Sequence, residues 1–565
     1  MGNIGHLNCE PGTHSSKSKP DPNHSEASRI ERDLSSAPHQ VGYMDDADPP
    51  MIRRAAGRIP HVCIVGAGVA GMRCADILLH HGAKVTILEG RNRVGGRLCQ
   101  SNALGHVVDL GPNWIHGTEH NPILDLARQT GTLTMNWDGR QAIFDSVGKQ
   151  MEEGETAKNE EVVWEIIEQA MKYSNAESAT IPAQKSLFNF FEEKVQGMFP
   201  EDKAKQETIL QMAEMWGAFV GSPIQTQSLK YFWLEECIDG ENLFVAGTYE
   251  KILKKIAEPA RKADLRLEHK VTKIVSREED RRPRVSVELE GRRSETFDEV
   301  VMTAPLGWLK RNLGAFEPEL PGRLKEAIGA IGYGHLDKVY IKFPTAFWNA
   351  STPPRSSPSK SRDPNVPNVT ATTAPIHQPS SDSLVNPSHY PGFTHWLRPA
   401  YATSPNPNRW AQEAMNLAAL PGGSAHPTLL FYIHGPTSLH ISSLLQSSPA
   451  SSHTEILTEF FEPYYSRLPN YNPKSPDHQP KAVLATDWAS DELAGYGSYS
   501  NFQTGLEQGD KDIEEMRKGL PEKGIWLAGE HTAPFVALGT VTGAWWAGEG
   551  VAKRISKAWS LKEPE

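Results

Sequence analysis

A chain of 565 residues is long enough for two domains with real cores and for enclosing a large organic cofactor. With 58 Lys and Arg against 69 Asp and Glu the net charge is −11, and the basic residues are scattered rather than gathered into a stripe, which argues against a nucleic-acid partner. Five cysteines without CxxC spacing offer neither a disulfide framework nor a metal site, and no apolar run approaches the roughly 18–20 residues of a membrane span, so a reducing, cytoplasmic setting is expected.

Residues 1–58 are rich in Ser, Pro, His, Asp and Asn and cannot offset the entropy of ordering a chain, so they read as a disordered tail. Order begins at HVCIVGAG, a buried parallel strand running into a glycine-rich turn. Gly66, Gly68 and Gly71 have GxGxxG spacing. Gly66 permits the tight turn, Gly68 lets a pyrophosphate approach the backbone, and Gly71 lets the following helix pack on the strand. A second strand closes at Glu89, whose carboxylate can accept hydrogen bonds from ribose hydroxyls and would repel an additional phosphate there. The spacing predicts dinucleotide binding, with Ala70 on the same turn as a further contact.

From Glu160 to about Phe219 the period changes to that of helices, with Val162, Val163, Ile166, Ile167 and Ala170 on one face. Strand patterns return at LRLEHKVTKIVS, which contains Val271, and at RVSVELE and FDEVVMTAP. HLDKVYIKF is a further strand, and a Pro/Ser-rich insertion at about 351–390 has no means of forming a core. A last strand and helix follow at KGIWLAGEHT and GTVTGAWWAGEGVAKRI.

Several of these segments together resemble the flavin-containing amine oxidases, in particular the polyamine oxidase branch. Immediately after Glu89 stands GRNRVGGRL, similar to the family signature, which implies FAD held by Arg91, Gly95, Gly96 and Arg97. An Arg guanidinium suits a phosphate by its fork of donors. DLGPNWIHG resembles the segment that passes beneath the flavin ring, implying cofactor contacts from Pro112, Asn113 and Trp114, and a substrate-facing His116 that binds or deprotonates an amine. Taken alone, an Asn-Trp-Ile-His stretch is more often structural. The closing segment implies cofactor contacts from Gly529, Glu530 and Val541, with one departure: many relatives carry His where this chain has Thr542, and Trp545 and Trp546 follow. Val271 is assigned to the cofactor in the same way. Lys338 matches the family's active-site lysine, which holds a water against the flavin; a lysine in an apolar strand is otherwise rare unless it points outward. GSYS places Tyr499 in an aromatic wall of the amine site with Trp488 behind it, although Tyr496 brings an additional residue into that match.

The resemblance implies an α/β fold: a Rossmann-like FAD-binding domain (59–150, 240–306, 481–558) interleaved with an α+β substrate-binding domain (151–239, 307–480) whose mixed sheet is flanked by helices. It also implies an FAD-dependent polyamine oxidase that converts spermine, spermidine or their acetyl forms to an imine and then an aldehyde, with O2 reduced to H2O2. The expected partners are a small amine and O2, with no membrane, and the chain acts as a monomer or homodimer. Three other readings stay open: a histone-lysine demethylase-like enzyme, a monoamine oxidase, and an FAD-binding scaffold without activity.

Overall fold

The computed structural model describes residues 58–279, 282–349 and 389–561. Nearly all of the expected tail and of the Pro/Ser-rich insertion lies outside the described residues. The fold is the expected α/β arrangement.

A five-stranded, wholly parallel sheet has the order Ile525–Leu527, Glu299–Met302, His61–Val65, Lys84–Leu88, Asp264–Arg266. Its strands come from four separated stretches of chain. Val62 and Ile64 are fully buried in the core they share with helix residues, and Cys63 between them faces a second core built with Val285 and Val287 of a four-stranded sheet; a strand covered on both faces reads as a continuous apolar run. The helix Val69–His80 leaves the first strand through the glycine turn and packs against the closing helix Val541–Ala558. The contact is close: a Cβ on Gly548 would sit 2.1 Å from the Ala70 carbonyl oxygen.

A six-stranded mixed sheet has the order Ala482–Ala485, Leu336–Lys342, Thr428–His434, Gln412–Asn416, Phe393–Trp396, Gln141–Phe144. All neighbours are antiparallel except the last pair. Gln141–Phe144 and Ala482–Ala485, which the expected division places in cofactor segments, are hydrogen-bonded into this sheet. Ala142 and Phe144 complete its core against Trp396. Helices Glu153–Glu177, Leu187–Met198 and Lys203–Ala213 form the expected helical layer. Val163, Ile166, Ile167 and Ala170 are buried as their spacing predicts, while Val162 is half-buried at the edge of the stripe. A capping box between Ser186 and Asn189 fixes the start of the second helix. Among the described residues no helix is long and apolar enough to cross a membrane.

The turn after the first strand shows why glycine is needed twice. Gly66 has φ +108°, and a Cβ there would approach Thr303 Oγ1 to 2.5 Å. At Gly71 a Cβ would lie 2.1 Å from the Gly66 carbonyl oxygen. Replacing Gly71 by Ala forces the helix off the strand, an overpacking that costs on the order of 1–3 kcal/mol. The expected outcome is a lower unfolding midpoint and a smaller flavin content after purification, read by thermal unfolding and visible absorbance; a variant matching wild type in both would show that the turn has slack.

Candidate active site

A single cavity runs from the glycine turn, across the edge of the parallel sheet, to the mixed sheet and helical layer. Gly66, Gly68, Ala70, Glu89, Arg91, Gly95, Gly96, Arg97, Pro112, Asn113, Trp114, Val271, Gly529, Glu530 and Val541 all line it, as do His116, Lys338 and Tyr499. Gly71 is the exception, since it faces the first strand and acts from behind the turn.

At the turn end, Glu89 is buried and already oriented by two backbone donors. Ala67 N donates to Oε2 at 2.7 Å and Arg91 N to Oε1 at 2.8 Å. A Cβ on Gly68 would meet nothing within 4 Å, so the backbone there borders open space of the kind a phosphate group needs. Gly95, in the left-handed region at φ +100°, donates its N–H to the Ala67 carbonyl at 2.8 Å and clasps the second glycine segment to the first.

Arg97 and Glu530 form an ion pair in the middle of the cavity. Arg97 Nη1 lies 3.0 Å from Glu530 Oε1, and it also donates to the Ser498 carbonyl at 2.6 Å. No bond of Arg97 Nε or Nη2 is recorded among the described residues, which leaves those donors for a phosphate oxygen. Ser500 Oγ donates to Glu530 Oε2 at 2.6 Å. Burial pushes the Glu530 carboxyl up, but Arg97, His531 and the Ser500 hydroxyl together outweigh it and hold the group below the usual carboxylate range. The helix Val541–Ala558 points its amino end at the same region, with Thr540 Oγ1 capping it by accepting from Gly543 N at 2.9 Å.

Lys338 does not point outward. Its side chain is buried, and Nζ donates to the Asp109 carbonyl at 3.1 Å, to the Gly111 carbonyl and to Asn113 Oδ1. Tyr432, directly opposite on the neighbouring strand, donates from its hydroxyl to the same Asn113 oxygen at 2.8 Å. Burial lowers the Lys338 pKa, opposed by the charge of Asp109, whose own value burial raises.

At the far end the walls become aromatic. Tyr499 donates to the Phe219 carbonyl at 2.5 Å, and Trp488 Nε1 to the Leu110 carbonyl at 3.1 Å. Tyr496 does not line this cavity; its ring lies under the Arg311 guanidinium at 4.6 Å. His116 Nδ1 is 3.3 Å from Asn242 Oδ1, and burial lowers its pKa so that the neutral ring is favoured. Thr542 faces away from the amine: its hydroxyl donates to Asn121 Oδ1 at 2.9 Å, and Asn121 in turn holds the His116 and Gly117 carbonyls. Trp545 is stacked by Arg73 at 4.3 Å, and neither it nor Thr542 or Trp546 lines the cavity.

Several lining residues had no signal in the sequence. Trp216 and Phe219, stacked at 4.9 Å, lie beyond the helical stripe, and Glu235 stands in FWLEECIDG with nothing to mark its direction. Glu235 Oε1 has no hydrogen-bond partner among the described residues, and burial pushes its carboxyl up to about 8.

The family model described as flavin containing amine oxidoreductase matches residues 69–556. The chain belongs to that family. It is 30% identical over 315 residues to polyamine oxidase 4 of Oryza sativa subsp. japonica, a match covering 53% of this chain and 62% of that protein. The chain thus spans somewhat under two thirds of the plant relatives it matches. Similarity extends further, at 25% identity over 546 residues, to the peroxisomal N(1)-acetyl-spermine/spermidine oxidase of Bos taurus, covering 89% of this chain and 96% of that protein. Protein FLOWERING LOCUS D of Arabidopsis thaliana is 26% identical over 483 residues, covering 83% and 52%. In fold the chain resembles putrescine oxidase bound to putrescine, with a TM-score of 0.60 at 17% identity over 88% of this chain and 99% of that one. The FAD expected from the sequence is the cofactor of this family, and the donors and open backbone just described fit it.

The Arg97–Glu530 pair gives a pH test. Because the folded-state pKa of Glu530 is depressed, its stabilisation is present above the unfolded value of about 4.3 and is lost as pH falls through the folded one. Glu530→Gln leaves Arg97 without its counter-charge, at a cost on the order of 3 kcal/mol near pH 7. The gap in unfolding midpoint between wild type and variant should narrow as pH falls below about 4; an equal gap at both pH values would assign the loss to packing instead.

Proposed function

We propose that the chain is an FAD-dependent polyamine oxidase, acting on spermine, spermidine or their acetyl forms with O2 as acceptor. The observation that carries this reading is one continuous cavity in which the cofactor donors at one end open onto Lys338, His116, Tyr499 and Glu235 at the other. Bound flavin would supply the hydride acceptor.

The residues of this chain supply the rest. An amine can give up hydride from its α-carbon only with its nitrogen lone pair free, so the site has to favour the uncharged form. The aromatic walls of Trp216, Phe219 and Tyr499 disfavour charge at the reacting nitrogen, and neutral His116 can accept a proton at the ring nitrogen that does not face Asn242. Glu235 interacts electrostatically with Tyr499 and offers an unpartnered carboxylate oxygen, which suits a second, still protonated nitrogen of the same molecule. That feature favours a di- or polyamine over a simple monoamine. Lys338 anchors the segment 109–113 beside the cavity, and as the match to the family's lysine it is assigned the positioning of a water for imine hydrolysis or of a proton for oxygen reduction.

The test is anaerobic mixing of the FAD-loaded protein with spermine, spermidine, their acetyl forms, a monoamine and a methyl-lysine peptide, following the oxidised flavin band near roughly 450 nm. Fast bleaching by a polyamine is expected. Bleaching by the peptide alone would replace the reading with a demethylase, by the monoamine alone with a monoamine oxidase, and by none of them with a flavin-binding scaffold.

A further inference from the structure

A second cavity, of about 40 Å³, lies on the other side of Trp216 and Phe219, which line both spaces. It is enclosed by the helix Glu153–Glu177, the end of the helix Lys203–Ala213 with the turn after it, and three strands of the mixed sheet. That volume holds two or three waters, or one small polar head group.

Its polar lining consists of Gln141, Glu160, His395 and Glu413. His395 is 2% exposed and Glu413 5%. Both ring nitrogens of His395, Glu413 Oε1 and Gln141 Oε1 are buried without a hydrogen-bond partner among the described residues. His395 Nδ1 is 3.5 Å from Glu413 Oε2, close enough for attraction but not aligned as a hydrogen bond. Unpartnered buried groups of this kind are costly, and four such atoms around one space mark a missing ligand rather than chance.

The chemistry of the lining selects the ligand. Two carboxylates, an amide oxygen and an imidazole face the space, the remaining walls are aromatic or aliphatic, and no Lys or Arg lines it. An anion is excluded by charge. Among the described residues no group of three His, Cys, Asp or Glu has the arrangement to hold a metal ion. A primary ammonium fits, with three donors for the oxygens and a charge attracted to the faces of Trp164 and Trp216.

The register of the sheet places this cavity relative to the reacting end. Lys338 pairs with Tyr432, Tyr432 with Glu413, and Glu413 with His395, so the four form one row across the sheet and project from the same face. Glu413 is two strands from Lys338, roughly 10 Å. We propose that this cavity seats the distal ammonium of an extended amine whose other end reacts in the main cavity, with the stacked Trp216 and Phe219, which line both spaces, as the boundary the molecule has to cross. This rests on the polyamine reading and gives it a length preference. Burial pushes Glu413 up to about 7 and His395 down to about 3, and an ammonium seated beside Glu413 favours its carboxylate form.

The experiment compares 1,8-diaminooctane with octylamine, which differ by the distal ammonium alone, in anaerobic flavin reduction by the FAD-loaded full chain. Glu413→Gln is expected to raise the half-saturating concentration of the diamine about tenfold or more relative to octylamine, with the limiting rates of reduction retained. Glu160→Gln, on the helix at the half-exposed rim, should shift it in the same direction. Equal weakening of both amines, or of neither, would overturn the proposal. If no amine bleaches the flavin, the polyamine reading has failed and the seat is judged by calorimetric titration of 1,8-diaminooctane: binding that Glu413→Gln abolishes supports it, and absence of binding to wild type overturns it.

Discussion

An ammonium taken out of water has to be met by protein oxygens, and around Lys338 that requirement organises two halves of the molecule at once. The lysine stands on a strand of the mixed sheet, yet its three acceptors belong to the segment 109–113, which leaves the glycine-rich cofactor region on its way to the amine cavity. Tyr340, two residues along the same strand, and Tyr432, paired with Lys338 on the neighbouring strand, donate to Asp109 O and Asn113 Oδ1 respectively and brace the acceptors. Asp109 in turn receives the Tyr249 N–H at both carboxylate oxygens and the Gln100 amide at one. Burial raises Asp109 and lowers Lys338, and against that shift each favours the other's charged form within a space that admits almost no solvent. The segment 109–113 is therefore fixed by the sheet rather than by its own loop conformation.

The cofactor end relies on a different device. There the chain presents backbone N–H groups, a helix amino end capped by Thr540 and the Arg97 guanidinium, beside two carboxylates that are themselves bonded: Glu89 by the Ala67 and Arg91 N–H groups, Glu530 by Arg97 and Ser500. Donors fixed in advance lose little freedom when a charged ligand arrives. The amine end is the reverse, with aromatic surface and carboxylates left without partners at Glu235 and, beyond Trp216, at Glu413. The two ends of the main cavity therefore differ in character, with fixed donors at one and aromatic surface beside Glu235 at the other.

How much of this the sequence discloses depends on whether the relevant interaction is local. GxGxxG, Glu89 and the second glycine pair lie within about thirty residues and form a self-contained unit, so their clustering at one end of the cavity was legible. Lys338 was legible because an uncompensated charge in an apolar strand is chemically conspicuous. The direction of Trp545 was not, since on an amphipathic helix only the packing of Val541–Ala558 against Val69–His80 decides which face meets Arg73. Glu413 and His395 lie eighteen residues apart and become neighbours only through strand pairing, while Gln141 reaches them from more than two hundred and fifty residues away. Nothing in a periodicity or a spacing encodes such a cross-strand row. The boundary strands Gln141–Phe144 and Ala482–Ala485 illustrate the same point: short apolar segments carry strand propensity but no mark of the sheet they will join.

The central claim is that Lys338 serves the chemistry of the main cavity while the dinucleotide is held elsewhere. Stopped-flow measurement of flavin reduction by the preferred amine, and of its reoxidation by O2, in Lys338→Met against wild type tests this most directly. The account predicts that the variant retains its FAD, held through Glu89, Arg97 and Glu530, and that turnover slows at least tenfold. Wild-type kinetics in both half-reactions would contradict it, and so would a variant that folds but cannot hold FAD.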